Sequence, residues 1–167
     1  DNNTRAGEKR PFPQHVIYQG SCIKPTTYDQ NTMDKSVRQL YVDWVNDYVK
    51  SSAKTAGGYY VRMDSSELIT CSEAQGYGML TFALMAGANL SDLNNASGIQ
   101  DAKTYFDGMY WFYNDHRRSS NSRLMSWSVD LNENNASYET ATDGDLDMAY
   151  ALLLAHDQWG SSGTINY

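Results

Sequence analysis

The chain has 167 residues, 41% of them apolar and 20% charged, and carries a net charge of -7. That length suffices for one compact domain with its own core, since domains of about 100 to 150 residues are the commonest size. No apolar run approaches the roughly 18 residues of a membrane-spanning helix, and the acidic balance disfavours nucleic acid and anionic membranes as partners while suiting a cationic substrate.

In chain order, residues 1–13 are polar and charged, with Pro11 and Pro13 blocking regular structure, so an arm or tag remnant is expected there and the fold is expected to begin near Val16. No targeting segment is legible at the N-terminus, so the chain reads as mature and soluble. From Thr32 to about Ser51 the apolar residues Val37, Leu40, Tyr41, Trp44, Val45, Tyr48 and Val49 recur at three and four, predicting a helix, with Asn31 and Asp34 as its capping box. Gly57–Met63 follows a glycine pair with β-prone residues and predicts a short strand or extended cleft wall.

Ser72 is a natural N-cap for a second helix, Glu73 to about Ala86. Gly76 and Gly78 inside it each cost about 0.5 to 1 kcal/mol, which predicts that another backbone or a ligand comes close. After a polar linker over 87–97, Ile99, Ala102, Tyr105, Phe106, Met109, Tyr110 and Tyr113 mark a third helix ending near Asn114. Leu124–Asp130 alternates like a strand, and a fourth helix runs from Asp143 to about Trp159, closed by Gly160. The pattern alone is all-α with small extended pieces.

Two acidic segments carry the chemistry: Ser72-Glu73-Ala74-Gln75-Gly76-Tyr77-Gly78-Met79, and Ala141-Thr142-Asp143-Gly144-Asp145-Leu146-Asp147-Met148-Ala149-Tyr150. Each sets a carboxylate at the mouth of an apolar helix, where free N–H groups and the helix dipole hold it. Their wording, continuing through Trp159-Gly160-Ser161-Ser162-Gly163, closely resembles the family-eight glycoside hydrolases, inverting endo-enzymes on β-1,4-linked glucan, mixed-linkage glucan, xylan or chitosan. The resemblance implies an all-α fold that is part of an (α/α)6 barrel, with residues 14–167 as the N-terminal part of one catalytic domain. It further implies that a second chain or segment completes the barrel and supplies a general base that no residue here can be assigned to. The expected setting is secreted, the partner a polysaccharide. Chitosan is favoured, with β-glucan beside it, from the Ala-Gln-Gly-Tyr-Gly wording, the Gly-Gly-Tyr-Tyr-Val entry and the acidic charge.

The same resemblance makes Glu73 the general acid and Asp143 the residue that organises the sugar at the cleavage subsite. Taken bare, Glu73 is a common first-turn glutamate, and a helix N-terminus favours its ionised form, so a general acid there needs a counterweight such as Asp143. Asp145 and Asp147 are expected to cap, to pair with basic groups or to contact neighbouring loops. Trp127, in Leu-Met-Ser-Trp, is the expected stacking platform, and Tyr77 lines the same floor or packs in the core. The thirteen Tyr, four Trp and four Phe suit sugar faces as well as a core.

No cofactor or metal is expected. The stretch from Asp130 begins as a calcium loop but has Asn135 and Ala141 where glycine and a bidentate acid are required, and Met148 breaks the pattern after Asp143. His15, His116 and His156 lack ligand spacing. Cys22 and Cys71 form a disulfide or stay as two buried thiols, the lone pair having no spacing signature. The rival class is a non-catalytic carbohydrate-binding helical module whose acids are caps.

Overall fold

The computed structural model describes residues 7–15 and 25–167, which form four helices and two two-stranded antiparallel sheets. Helix α1 (Gln30–Tyr48) starts at Asp29, whose carboxylate accepts the Thr32 N–H at 2.8 Å and is held by that bond below the usual carboxylate range. The cap is therefore not the expected Asn31–Asp34 box. Asp34 instead takes hydrogen bonds from Gln30 at 3.0 Å and from His15 at 2.9 Å. The helix also stops sooner than its periodicity implies, because Val49 turns extended and opens strand β1 (Val49–Ser51), which pairs with β2 (Tyr59–Val61) in the register Val49 to Val61. Periodicity could not see this end, since Tyr48 and Val49 continue the apolar stripe while the β-branched Val49 suits a strand equally well.

Strand β3 (Leu68–Cys71), which is not among the expected elements, runs directly into helix α2 (Ser72–Leu84) and pairs with β4 (Ser128–Asp130). Of the expected strand over 124–130 only these last residues form the ladder; Met125 makes an isolated bridge with Arg117. Because α2 is entered straight from a strand, Ser72 does not cap it. Cys71 occupies the cap position without a side-chain bond, and the Ser72 hydroxyl is buried with no partner in the structure.

Helix α3 (Ala102–Asp115) is capped by Asp101, which accepts from the Thr104 N–H at 3.0 Å. Helix α4 (Thr142–Trp159) ends as predicted at Gly160, whose φ of +74° suits glycine and whose N–H reaches the His156 carbonyl at 2.8 Å.

The core lies where α1, α3 and α4 meet α2, with Met148, Ala151 and Ala155 from α4, and centres on Phe82, fully buried, stacked on Tyr105 at 4.9 Å and met edge-on by Tyr41 at 6.0 Å. Truncating such a ring to alanine costs about 3 to 5 kcal/mol. Residues 9–12, expected to belong to an arm, are tied to the ends of α2 and α4: Lys9 donates to the Gln158 carbonyl at 3.0 Å, the Gln158 amide to the Arg10 carbonyl at 2.7 Å and Phe12 to the Ala86 carbonyl at 2.8 Å. On α4, Leu146, Tyr150 and Leu153 recur at four and three and stay exposed. Cys71 is half-buried; the question of its pairing falls on Cys22, outside the described residues.

Candidate active site

The site is built where the first turn of α4 lies on the first turn of α2. A Cβ on Gly144 would stand 2.5 Å from the Ser72 carbonyl carbon and 2.6 Å from the Glu73 nitrogen. From the other side, a Cβ on Gly76 would stand 2.8 Å from the Asp147 Cβ and 3.1 Å from the Gly144 carbonyl oxygen. Only glycine at both positions lets the two helices come this close. The glycines of α2 thus serve approach by protein rather than by ligand, since a Cβ on Gly78 would likewise meet Met109 and Val61 at 2.6 Å. Two helix N-termini stand side by side as a result, and both favour carboxylates.

Glu73 and Asp143 project from these two first turns and are exposed. Asp143 accepts its neighbour Gly144's N–H at 2.8 Å. Glu73 accepts the Tyr77 hydroxyl at 2.7 Å on Oε1, one turn further along α2. The Tyr77 hydroxyl is pushed above its ordinary range, first by that bond and by the Glu73 charge, then by desolvation and by the charges of Asp147 and Asp143. Its ring is 53% exposed, which removes it from the core and places it at the carboxylate cluster.

Trp127 reaches the same place through the backbone. The Ser72 N–H donates to the Trp127 carbonyl at 2.9 Å, and the Trp127 backbone N–H donates to the Glu139 carbonyl at 2.8 Å, so the residue is fixed beside the start of α2 while staying 44% exposed. Asp145 secures that segment from α4 by accepting the Met125 N–H at 3.1 Å, one of the loop contacts expected of it. Burial raises the Asp145 carboxyl above its usual range, the Met125 bond counteracts this, and the charge of Asp143 adds to it.

Sequence reasoning missed Tyr138. Its segment is joined to the Trp127 segment by the Ser126 hydroxyl on the Ser137 carbonyl, and its ring is the most exposed of the large apolar side chains described, at 74%. Nothing in a polar linker without periodicity marks it out. Glu133 was missed as well. With φ at +51° it turns its carboxylate onto the β1–β2 turn, taking the Ser52 hydroxyl at 2.5 Å and the N–H groups of Ala53 at 2.7 Å and Lys54 at 3.0 Å.

In the calcium-like stretch, Asp130 spends Oδ1 on the N–H groups of Asn132 and Asn134 at 2.8 and 2.9 Å, which makes it a loop clasp. The histidines have structural company: His116 bonds Asn135 at 2.9 Å over the Phe112 ring, and His156 bonds Ser161 at 2.6 Å.

The model of the glycosyl hydrolases family 8 matches residues 33–167. The chain belongs to this family. It is 44% identical over 163 residues to a β-glucanase of Niallia circulans, covering 97% of this chain and 37% of that protein. It is 41% identical over 170 residues to an endoglucanase of Bacillus sp. (strain KSM-330), covering 97% and 34%. Among solved structures, the apo β-1,3-1,4-glucanase from Paenibacillus sp. X4 superposes with a TM-score of 0.79 at 44% identity, over 95% of this chain and 39% of that one. A Rex8A double mutant from Paenibacillus barcinonensis, at 18% identity, shares the fold with a TM-score of 0.64, over 84% of this chain and 34% of that one. The family chain described here thus spans about a third of the length of the curated relatives it matches.

Proposed function

We propose that these residues are the N-terminal part of the catalytic domain of an inverting endo-hydrolase of β-linked glucan, with Glu73 as general acid and Asp143 as organiser of the sugar at the cleavage subsite. The observation that carries this is the Gly144 backbone seated on Ser72 and Glu73, which brings the helix starts that bear Glu73 and Asp143 together beside an exposed tryptophan. Glu73 protonates the glycosidic oxygen as the C1–O bond breaks. Water adds to C1 from the opposite face and gives its proton to a general base in the remainder of the protein. Asp143 hydrogen-bonds a ring hydroxyl, a contact that tightens as positive charge develops on the ring. The face of Trp127 stacks on an adjoining pyranose.

In this reading the helices are part of an (α/α)6 barrel, and the exposed stripe Leu146, Tyr150 and Leu153 meets the segment that completes it, since soluble monomers seldom expose large apolar patches. Among the described residues no helix is long and apolar enough to cross a membrane, and a secreted enzyme acting on an extracellular polymer is consistent with that. Glucan is favoured as substrate by the names of the relatives. Chitosan is the second reading, supported by the net charge of -7, which would attract a cationic polymer.

The test is Glu73→Gln in the full-length protein, assayed on mixed-linkage glucan, cellulose derivatives and chitosan. Turnover on the preferred polymer should fall about 10²- to 10⁴-fold while oligosaccharide binding persists. Wild-type turnover in this variant removes Glu73 from the acid role, and binding of sugar with no turnover by the wild-type protein favours a carbohydrate-binding module. Early-time NMR of the digest should show the α-anomer first; β-anomer at the outset contradicts inversion.

A further inference from the structure

We propose that Tyr77 is the positioning residue of the proton donor, fixing through its hydroxyl which oxygen of Glu73 delivers the proton, and that it is not a sugar-stacking ring. The inference rests on the reading of Glu73 as general acid. A carboxylic acid has two oxygens, and only the one facing the glycosidic oxygen is useful in its protonated form. Tyr77 lies four residues after Glu73 on α2, the spacing at which side chains on a helix meet, and its hydroxyl donates to Oε1 at 2.7 Å. A hydroxyl donating to Oε1 favours the acidic proton on Oε2 and resists rotation of the carboxyl.

The same contact serves the step itself. As the C1–O bond breaks, its electron pair goes to the leaving oxygen, which takes the proton from Oε2, and Glu73 is left as a carboxylate with its charge shared by both oxygens. That charge appears beside Asp143 and Asp147 of α4, the two other carboxylates whose fields reach the Tyr77 hydroxyl. Repulsion from them opposes the transfer. A hydroxyl already aimed at Oε1 strengthens its bond as the charge forms and so offsets the repulsion without any reorganisation. The Tyr77 hydroxyl is pushed up from its usual range by the Glu73 bond and charge first and by desolvation, Asp147 and Asp143 after them, so it stays protonated and able to donate.

Tyr77 also has a commitment that a free platform lacks. The hydroxyl end of the ring is directed at the Glu73 carboxylate, whereas the exposed indole of Trp127 has no such commitment among the bonds of its segment, which run through the backbone.

The test compares two substrates on the full-length enzyme. Unactivated β-glucan needs protonation of its leaving oxygen; a 2,4-dinitrophenyl β-cello-oligosaccharide does not, because its leaving group departs as a stable anion. Turnover is measured for the wild type, Tyr77→Phe, Glu73→Gln and the double variant. Taking the ratio of the two substrates on one preparation cancels any loss of folded protein. Glu73→Gln should lose glucan turnover while keeping most of its turnover on the activated substrate. Tyr77→Phe should show the same selectivity in weaker form, a fall of about 10- to 100-fold on glucan, the range for loss of one hydrogen bond to a charged group, with little change on the activated substrate. The double variant should fall no further than Glu73→Gln alone. Equal losses of Tyr77→Phe on both substrates, a raised KM with unchanged kcat, or no change on either would overturn the inference while leaving Glu73 in place. Full glucan turnover by Glu73→Gln would instead remove the acid assignment, and the role of Tyr77 with it.

Discussion

Two acidic regions of this chain look alike in sequence and are used in opposite ways. In the loop from Asp130 to Asn134, each carboxylate is taken up by fixed donors: Asp130 by the N–H groups of Asn132 and Asn134, Glu133 by those of Ala53 and Lys54 and by the Ser52 hydroxyl. Both are held below the usual carboxylate range, Asp130 first by the Asn134 N–H, while for Glu133 the Ser52, Ala53 and Lys54 bonds outweigh a sizeable cost of burial. At the α2–α4 junction, among the described residues, Glu73 has a tyrosine hydroxyl on one oxygen and Asp143 its neighbour's N–H. A carboxylate saturated by fixed donors is locked into its charged form and serves the architecture. One with a free oxygen at an exposed helix mouth can exchange a proton or bind a hydroxyl.

The largest effect is expected from closing the gap that makes the second region. Gly144→Val places its Cβ within 2.5 Å of the Ser72 carbonyl carbon, which is backbone and cannot swing aside. The helices must separate, at a cost of about 1 to 3 kcal/mol or more, and the carboxylates must part with them. Thermal unfolding of the full-length protein should therefore shift down markedly, and the fraction that remains folded should have lost most of its turnover. A variant that melts like the wild type would mean that the close contact does not set the site.

The contact was half legible in the sequence. Two glycines in a helix-forming run announce a close approach, and they do so correctly for Gly76 and Gly78, but the sequence does not name what approaches. Gly144 is readable only as part of a motif. The helices themselves followed from apolar spacing, and Gly160 marked an end because glycine tolerates the positive φ found there. Starts were less legible where several polar residues compete: Asp29 rather than Asn31 caps α1, because the choice depends on which side chain reaches a free N–H. Strand β3 was not expected, and its pairing could not be read locally, since its partners are distant residues, Ser128 and Asp130. The site residues Glu73, Asp143, Trp127 and Tyr77 stood in recognisable wording, whereas the clasp made by Glu133 is assembled by tertiary hydrogen bonds.

A moderate effect is expected in the first region. Glu133→Gln puts an amide against three donors, so stability at neutral pH should fall by about 1 to 2 kcal/mol while turnover per folded molecule stays near the wild type. The pH dependence gives the sign. Because the fold lowers the Glu133 carboxyl, its contribution is present above the ordinary value of 4.5 and is lost as pH falls through the lower folded value. The gap between wild type and variant in a denaturant melt should accordingly close in acid; a gap that widens there would contradict the clamp.

The smallest effect separates Asp145 from both groups. Its carboxyl is raised by burial, so the stability linked to its neutral form is complete below the ordinary value of 3.8 and is lost as pH rises through the folded value. Asp145→Asn keeps an acceptor for the Met125 N–H without the charge. The variant should gain slightly in melting temperature relative to wild type as pH rises toward neutrality, the reverse of Glu133→Gln. Parallel curves would show that Asp145 is not held in a desolvated setting.

The most direct measurement is a crystal structure of the full-length Glu73→Gln variant with a β-glucan oligosaccharide bound across the cleft. The account predicts the scissile oxygen within hydrogen-bond reach of the residue 73 side chain, about 2.6 to 3.2 Å, with Tyr77 still bonded to the other terminal atom of that side chain, Asp143 on a ring hydroxyl and a pyranose against the Trp127 face. Sugar bound elsewhere, or threading the junction with Glu73 and Asp143 both turned away from it, would contradict the claim that the α2–α4 contact builds the reacting centre.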